Sequence, residues 1–363
     1  MKKASISLKR TPERVELIKQ MASPDRNLAY EAQQAFAAYI REPVEIVLNQ
    51  KSTAGLVYTD LPFSKNDRPT IPLDIFLGTQ EKHVSIWAQN IAGGLATNLV
   101  QGLGEYTFQT FKLESAVSLY KEYIENANLP VLSQVIDRAV NELVVKQERN
   151  AWSPVLSSVA TASTNGLDHV ISATTAGVFQ LEDLNQMFVR MDRIWTSYAS
   201  KGTPESQTGG LTDLIVSPEI VGQIRAFAYN PMNTRGVPNS DESTAVPLPD
   251  AVREQIFRAG GMLSIYDVSI HKLLEFGKNA KYNTVFDNAY GGSFDPATQE
   301  LVLGLDLTKN YNLRPVVDAD GGGSIESMVD DQFVARSEKV GWFFRLREGR
   351  IVIDTRDKVG LIV

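Results

Sequence analysis

NLPVLSQVIDRAVNELVVKQERNAW, residues Asn128 to Trp152, places Val131, Leu132, Val135, Ile136, Ala139, Val140, Leu143 and Val144 at steps of three and four. Asp137, Arg138, Glu142, Lys146 and Glu148 fall on the other side, so the spacing predicts one long amphipathic helix. Pro130 sits inside the first turn, where a missing N–H costs nothing, and marks the start. Such a helix measures about 35 Å at its rise of about 1.5 Å per residue. Ser153-Pro154 then predicts a reset into a further short helix that ends in polar ATASTNG.

Upstream, Pro12 to Val47 reads as helix broken at Pro24 and Pro43, an arm of alternating charged and Ala-rich segments. Gly55-Leu-Val-Tyr-Thr59, the proline-marked LPFSKNDRPTIP and the glycines of IAGGLATNLVQGLGEY favour strands and turns, as in a long hairpin. Apolar residues are too sparse in this region to build a core of their own. Both arm and hairpin therefore need partner chains to pack against, which argues for an obligate assembly.

Downstream, Leu184, Met187, Phe188, Met191, Ile194, Trp195 and Tyr198 form one helical stripe that stops at Lys201-Gly202. Val135, Ala139 and Leu143 together with Leu184, Phe188 and Trp195 are expected to form a common core. GTPESQTGG is a linker. After it, Leu214-Ile-Val216 reads as a buried strand and Ser217-Pro-Glu219 as the cap of a helix through Ile220, Ile224 and Phe227. Asn230 to Asp250 is a long surface loop. Strand-like runs recur at 262–266, 284–286, 301–303, 332–335, 340–344 and 350–354, so the last third is mostly sheet and the class is α+β.

The 363 residues, 43% hydrophobic, suffice for two or three domains. The absence of cysteine excludes disulfides and thiolate metal sites and fits a reducing cytoplasm. The start, MKKASISLKR, leads into charged TPERVELIKQ without the apolar stretch of a signal peptide. Charged residues or glycine interrupt every apolar run, so no membrane association is expected. A net charge of −7 argues against a sequence-reading nucleic-acid binder and leaves only local contacts, for which Lys2, Lys3 and Lys9 beside Arg10 are the candidates.

Chemistry finds no foothold. His83, His169 and His271 stand in separate regions with no H-E-x-x-H, and no G-x-S-x-G elbow is present. Gly93-Gly94 and Gly102-Leu-Gly104 lack dinucleotide and P-loop spacing and read as turns. Asp318 to Glu326 departs from a calcium loop, since Gly322 stands where an oxygen ligand is needed and the closing Glu comes early. No catalytic, cofactor-binding or metal residue is nominated.

The order of these elements resembles the Hong Kong 97-like fold of tailed-phage major capsid proteins, which encapsulin nanocompartments share. The resemblance covers nearly the whole chain and implies an N-terminal arm at 1–48, an extended E-loop at 49–104, and a peripheral domain with spine helix at 105–210. An axial domain at 211–324, opening on LTDLIVSPEIVGQIRAF, and a C-terminal return to the peripheral domain at 325–363 complete it. The resemblance implies a structural shell protein of the virion, assembled in the bacterial cytoplasm, with no enzymatic reaction. Its implied partners are further copies in hexamers and pentamers, a separate scaffolding protein, a portal protein, a possible decoration protein, and packaged double-stranded DNA touched without specificity. An encapsulin-type shell is the alternative, and a cytosolic hydrolase the more distant one. Lys51, Lys65 and Lys82 lie where some relatives crosslink subunits, but nothing marks a partner asparagine.

Overall fold

The computed structural model describes residues 11–64, 67, 70–72, 105–126, 129–164, 166–198, 210–226, 263–308, 311–317, 325–330 and 338–363. The chain divides into two compact units, Met1–Ile71 with Thr107–Ala151 and Leu313–Ile351, and Pro72–Tyr106 with Trp152–Asn312 and Val352–Val363.

In the first unit, helix α1 (Pro12–Met21) is followed by α2 (Arg26–Lys51). The chain breaks near Pro24 as expected but runs straight through Pro43. Proline inside a helix loses one hydrogen bond and costs about 3 kcal/mol. Burial of Phe36, Ile40, Val44 and Val47 at helical spacing on both sides of Pro43 offsets that cost. A short 3-10 turn at Ala54–Leu56 replaces the expected start of a strand at Gly55, and strand β1 (Thr59–Phe63) begins only afterwards. Strands β2 (Thr70–Pro72) and β3 (Glu105–Thr107) pair with each other.

The sheet of this unit is built on two ten-residue strands. β4 (Phe111–Tyr120) runs antiparallel to Lys339–Glu348, from Lys339 opposite Tyr120 to Glu348 opposite Phe111. Trp342, Phe344 and Leu346 alternate inward and meet the apolar stripe of α2, with the Phe36 and Trp342 rings 5.3 Å apart. After the short α3 (Lys121–Glu125), the long helix α4 (Leu129–Thr161) supplies Leu132, Ile136, Val140, Leu143 and Val144 to the same core. Its buried face is thus rotated slightly from the predicted one: Ile136 is fully buried, whereas Val135 and Ala139 lie at the flank. The expected reset at Ser153-Pro154 does not occur, because Trp152, Val155, Leu156 and Val159 are all buried and hold the helix together across the proline.

The second unit follows with β5 (Ser163–Thr164), β6 (Leu167–Asp168), β7 (Val170–Ser172), helix α5 (Leu181–Tyr198), β8 (Asp213–Val216) and α6 (Pro218–Ala226). Ser217 caps α6 through its Oγ, which accepts the Ile220 amide at 3.2 Å. Next come β9 (Leu263–Ile265), β10 (Val268–Lys272) and α7 (Lys281–Tyr290). Residues 284–286 therefore lie in a helix and not in a strand: Tyr282, Asn283 and Phe286 bury one face, and Gly291 ends it in the left-handed conformation at φ 78°.

The chain continues as β11 (Leu301–Leu305), β12 (Asn312–Val317), β13 (Ile325–Asp330), β14 (the Lys339–Glu348 strand), β15 (Ile351–Val352) and β16 (Lys358–Ile362). One six-stranded sheet has the order β1-β12-β14-β13, with β15 beside β12 and β4 beside β14; the other runs β7-β16-β11-β8-β10-β9. Helix α5 packs on β16, and its Leu184, Met187, Met191 and Ile194 join Val216, Ile220, Ile224, Val302, Val359 and Leu361 in a second core. The expected single core is corrected accordingly. Leu143 and Leu184 belong to different cores, because each amphipathic helix is matched to its own sheet, and Phe188 lies at the edge of the second. The Trp195 side chain and residues 332–335 lie outside the described parts.

Candidate functional site

The histidines do not converge. His83 lies outside the described residues. His169 is buried between Thr164 Oγ1 at 2.7 Å from Nε2 and the Lys358 carbonyl at 3.0 Å from Nδ1. A carbonyl only accepts, so Nδ1 carries the proton and Nε2 accepts from the threonine hydroxyl. Burial holds the ring below its ordinary pKa, opposed by the Lys358 carbonyl, which leaves a neutral ring with both nitrogens in use. His271 Nε2 meets Asp213 Oδ1 at 2.7 Å between the parallel strands β10 and β8.

Among the described residues no group of three His, Asp or Glu side chains suits a metal ion, and no helix is long and apolar enough to cross a membrane. Of the calcium-like stretch only Ile325 and Glu326 are described, both on β13. Lys2, Lys3, Lys9, Lys65, Lys82 and the glycines at 93, 94, 102 and 104 lie outside the described residues, and Lys51 ends α2.

What the first unit does bring together is a buried polar network at the foot of the segment read as the E-loop. Along β14 the inward alternation of Trp342, Phe344 and Leu346 continues to Glu348, which is 0% exposed. Its Oε2 accepts from Arg314 Nε at 2.8 Å, Gln147 Nε2 at 3.0 Å and Arg350 Nη2 at 3.2 Å. Arg314 also reaches Asp60 Oδ1 at 3.3 Å, on β1. Burial pulls Arg350 below its usual pKa while Glu348 opposes that shift. The Arg350 guanidinium lies 4.8 Å from the centre of the Tyr58 ring, and the Tyr58 hydroxyl donates to the Ala151 carbonyl at 2.7 Å.

One helical turn before Ala151, Glu148 takes three further donors. Oε1 accepts the backbone amides of Thr53 at 2.7 Å and Ala54 at 3.2 Å, and Oε2 accepts the Thr53 hydroxyl. This corrects the placement of Glu148 on the polar side of the helix. Steps of four from Val140 through Val144 lead to Glu148 on the buried face, where its charge is balanced by amides that the chain would otherwise leave unpaired.

A second buried network closes the other unit. Lys358 and Asp357 are in direct contact, Lys358 Nζ also donates to the Asp354 carbonyl at 3.0 Å, and Asn312 Nδ2 donates to Asp357 at 3.1 Å. Burial lowers the lysine and raises the aspartate, each shift being opposed by the partner's charge. Asp357 is thereby paired with both Lys358 and Asn312 within the unit.

No known family and no curated protein matches the sequence. Solved structures match the chain over most of its length. A structure of Microbacterium phage Oxtober96 matches over 86% of this chain and 90% of that one, with a TM-score of 0.52 and 11% identity. The capsid of a native GTA particle matches 86% of this chain and 90% of its own at TM-score 0.49 and 12% identity. The holo-SrpI encapsulin complex from Synechococcus elongatus PCC 7942 matches 85% and 87% at TM-score 0.45 and 11% identity. The α+β, Hong Kong 97-like fold expected from the order of elements is thus the fold of this chain.

Proposed function

We propose that this chain is the major capsid protein of a tailed bacteriophage, a structural subunit that assembles into an icosahedral head around double-stranded DNA. The observation that carries the reading is the fold shared with the phage Oxtober96 structure across 86% of this chain and 90% of that one. In this reading the unit built on β4, β14 and the first part of α4 is the peripheral domain, with α1 and most of α2 as the arm packed on it. The unit built on α5 and β16 is the axial domain, which moves α5 and the last strand out of the peripheral domain in which the resemblance first set them. Residues 73–104 form the bulk of the E-loop and pack on neighbouring copies. Hexamers and pentamers of the chain make up the shell, a scaffolding protein guides them, and a portal protein takes one vertex.

Specificity for DNA is not required of such a subunit. A net charge of −7 suits a container that holds DNA by enclosure, with sparse contacts from inward-facing lysines. The test is sedimentation of the expressed chain with and without a scaffolding partner. Particles far larger than a 40.1 kDa subunit support the reading, and a monomer under every condition contradicts it.

A further inference from the structure

The geometry points to Glu148 as a positioning residue that fixes where the chain leaves the first unit for residues 73–104; the inference rests on the shell reading. Between the end of α2 and the ladder of β1 against β12 lie residues 52–58, of which only Ala54–Leu56 form a regular turn. A short irregular segment between two regular elements sets the relative direction of those elements only if it is pinned from outside.

The chain from Thr53 to Asp60 is pinned at four residues, three in this segment and one at the start of β1. The Thr53 and Ala54 amides and the Thr53 hydroxyl all go to Glu148, Tyr58 reaches Ala151, and Asp60 reaches Arg314. Two of the acceptors, Glu148 and Ala151, sit three residues apart on one face of α4. Both carboxylate oxygens accept from chain outside their own helix. Its role is therefore to anchor on α4 the chain that enters β1 and leads toward β2, whose partner is β3.

Glu148→Ala removes every acceptor at once, whereas Glu148→Gln keeps one oxygen for the two amides and can donate to the Thr53 hydroxyl, so the two variants separate positioning from charge. Expected is a folded Glu148→Ala subunit, judged by circular dichroism, whose yield of closed shells falls about tenfold or more in favour of open sheets and aberrant particles, with Glu148→Gln restoring it. Hydrogen exchange on unassembled wild-type subunits gives a second readout that needs no variant. The Thr53 and Ala54 amides should be protected at least about a hundredfold over open chain. Wild-type shell yield in folded Glu148→Ala, or open-chain exchange at both amides, overturns the inference. Should Glu148→Ala not fold, the exchange result decides alone. If the wild type forms no shells, the shell reading fails, while slow exchange at Thr53 and Ala54 still upholds the clamp.

Discussion

Glu348→Gln should be among the most damaging isosteric changes in the first unit. The wild-type carboxylate is fully buried and neutralises Arg314 and Arg350, of which Arg350 has only 2% of its side chain exposed. With Gln in its place, three hydrogen bonds lose their ionic character and, among the described residues, the carboxylate left in contact is Asp60, whose side chain is 63% exposed. Hydrogen bonds to a charged group contribute about 1.5–3 kcal/mol against about 0.5–1.5 for neutral ones. Breaking a buried pair by removing one partner costs about 3–5 kcal/mol, the range expected here. For a unit of about 150 residues this lowers the melting temperature of its transition by about 6–20 °C. Asp60→Asn, at an exposed position, should cost under about 1 kcal/mol. Urea denaturation of unassembled subunits measures both, and a Glu348→Gln cost no larger than that of Asp60→Asn would refute the reasoning.

Three further outcomes are expected. Ile136→Ala should cost about 2–5 kcal/mol and at least twice as much as Val135→Ala, because only Ile136 is fully buried; equal costs in equilibrium denaturation would contradict the observed phase of α4. His169, facing Asp354 and Lys358, has a lowered pKa in the fold, so stability is complete above the unfolded value of about 6.5 and is lost as pH falls from there toward the folded value. His169→Gln should flatten that slope in melts between pH 7 and 5, and an unchanged slope would show that the buried ring does not cause it. Free subunits should bind DNA weakly, without sequence preference and with a shallow dependence on salt, each phosphate contact adding about one unit to the slope; tight, sequence-selective binding at physiological salt would contradict enclosure.

The long helices and the buried strands were legible because their signals are periodic and local. The stripe of α5, the strand at 213–216 with its Ser217 cap, and the inward alternation of β14 follow directly from apolar spacing. Prolines 43 and 154 misled because local breaking propensity was outweighed by burial on both sides, a tertiary effect. Thr284-Val-Phe286 reads as strand by residue type, although the Gly291-Gly292 pair after Tyr290 carried the signal for a helix end. The polar network was not legible: Glu348 continues the inward alternation of its strand and Glu148 the buried steps of its helix, but Glu148 was placed on the polar side of its helix and Glu348 was not singled out. Their partners Thr53 and Arg314 lie 95 and 34 residues away in sequence, and Tyr58 lies 93 residues from its acceptor Ala151, so only the fold brings these groups together.

The central claim is tested most directly by electron cryomicroscopy of particles formed by the expressed chain with a scaffolding protein. The account predicts closed icosahedral shells in which the unit built on α5 and β16 surrounds the five-fold and six-fold positions and residues 73–104 lie against a neighbouring copy. Discrete monomers or dimers under all assembly conditions, with residues 73–104 packed on their own chain, would contradict it.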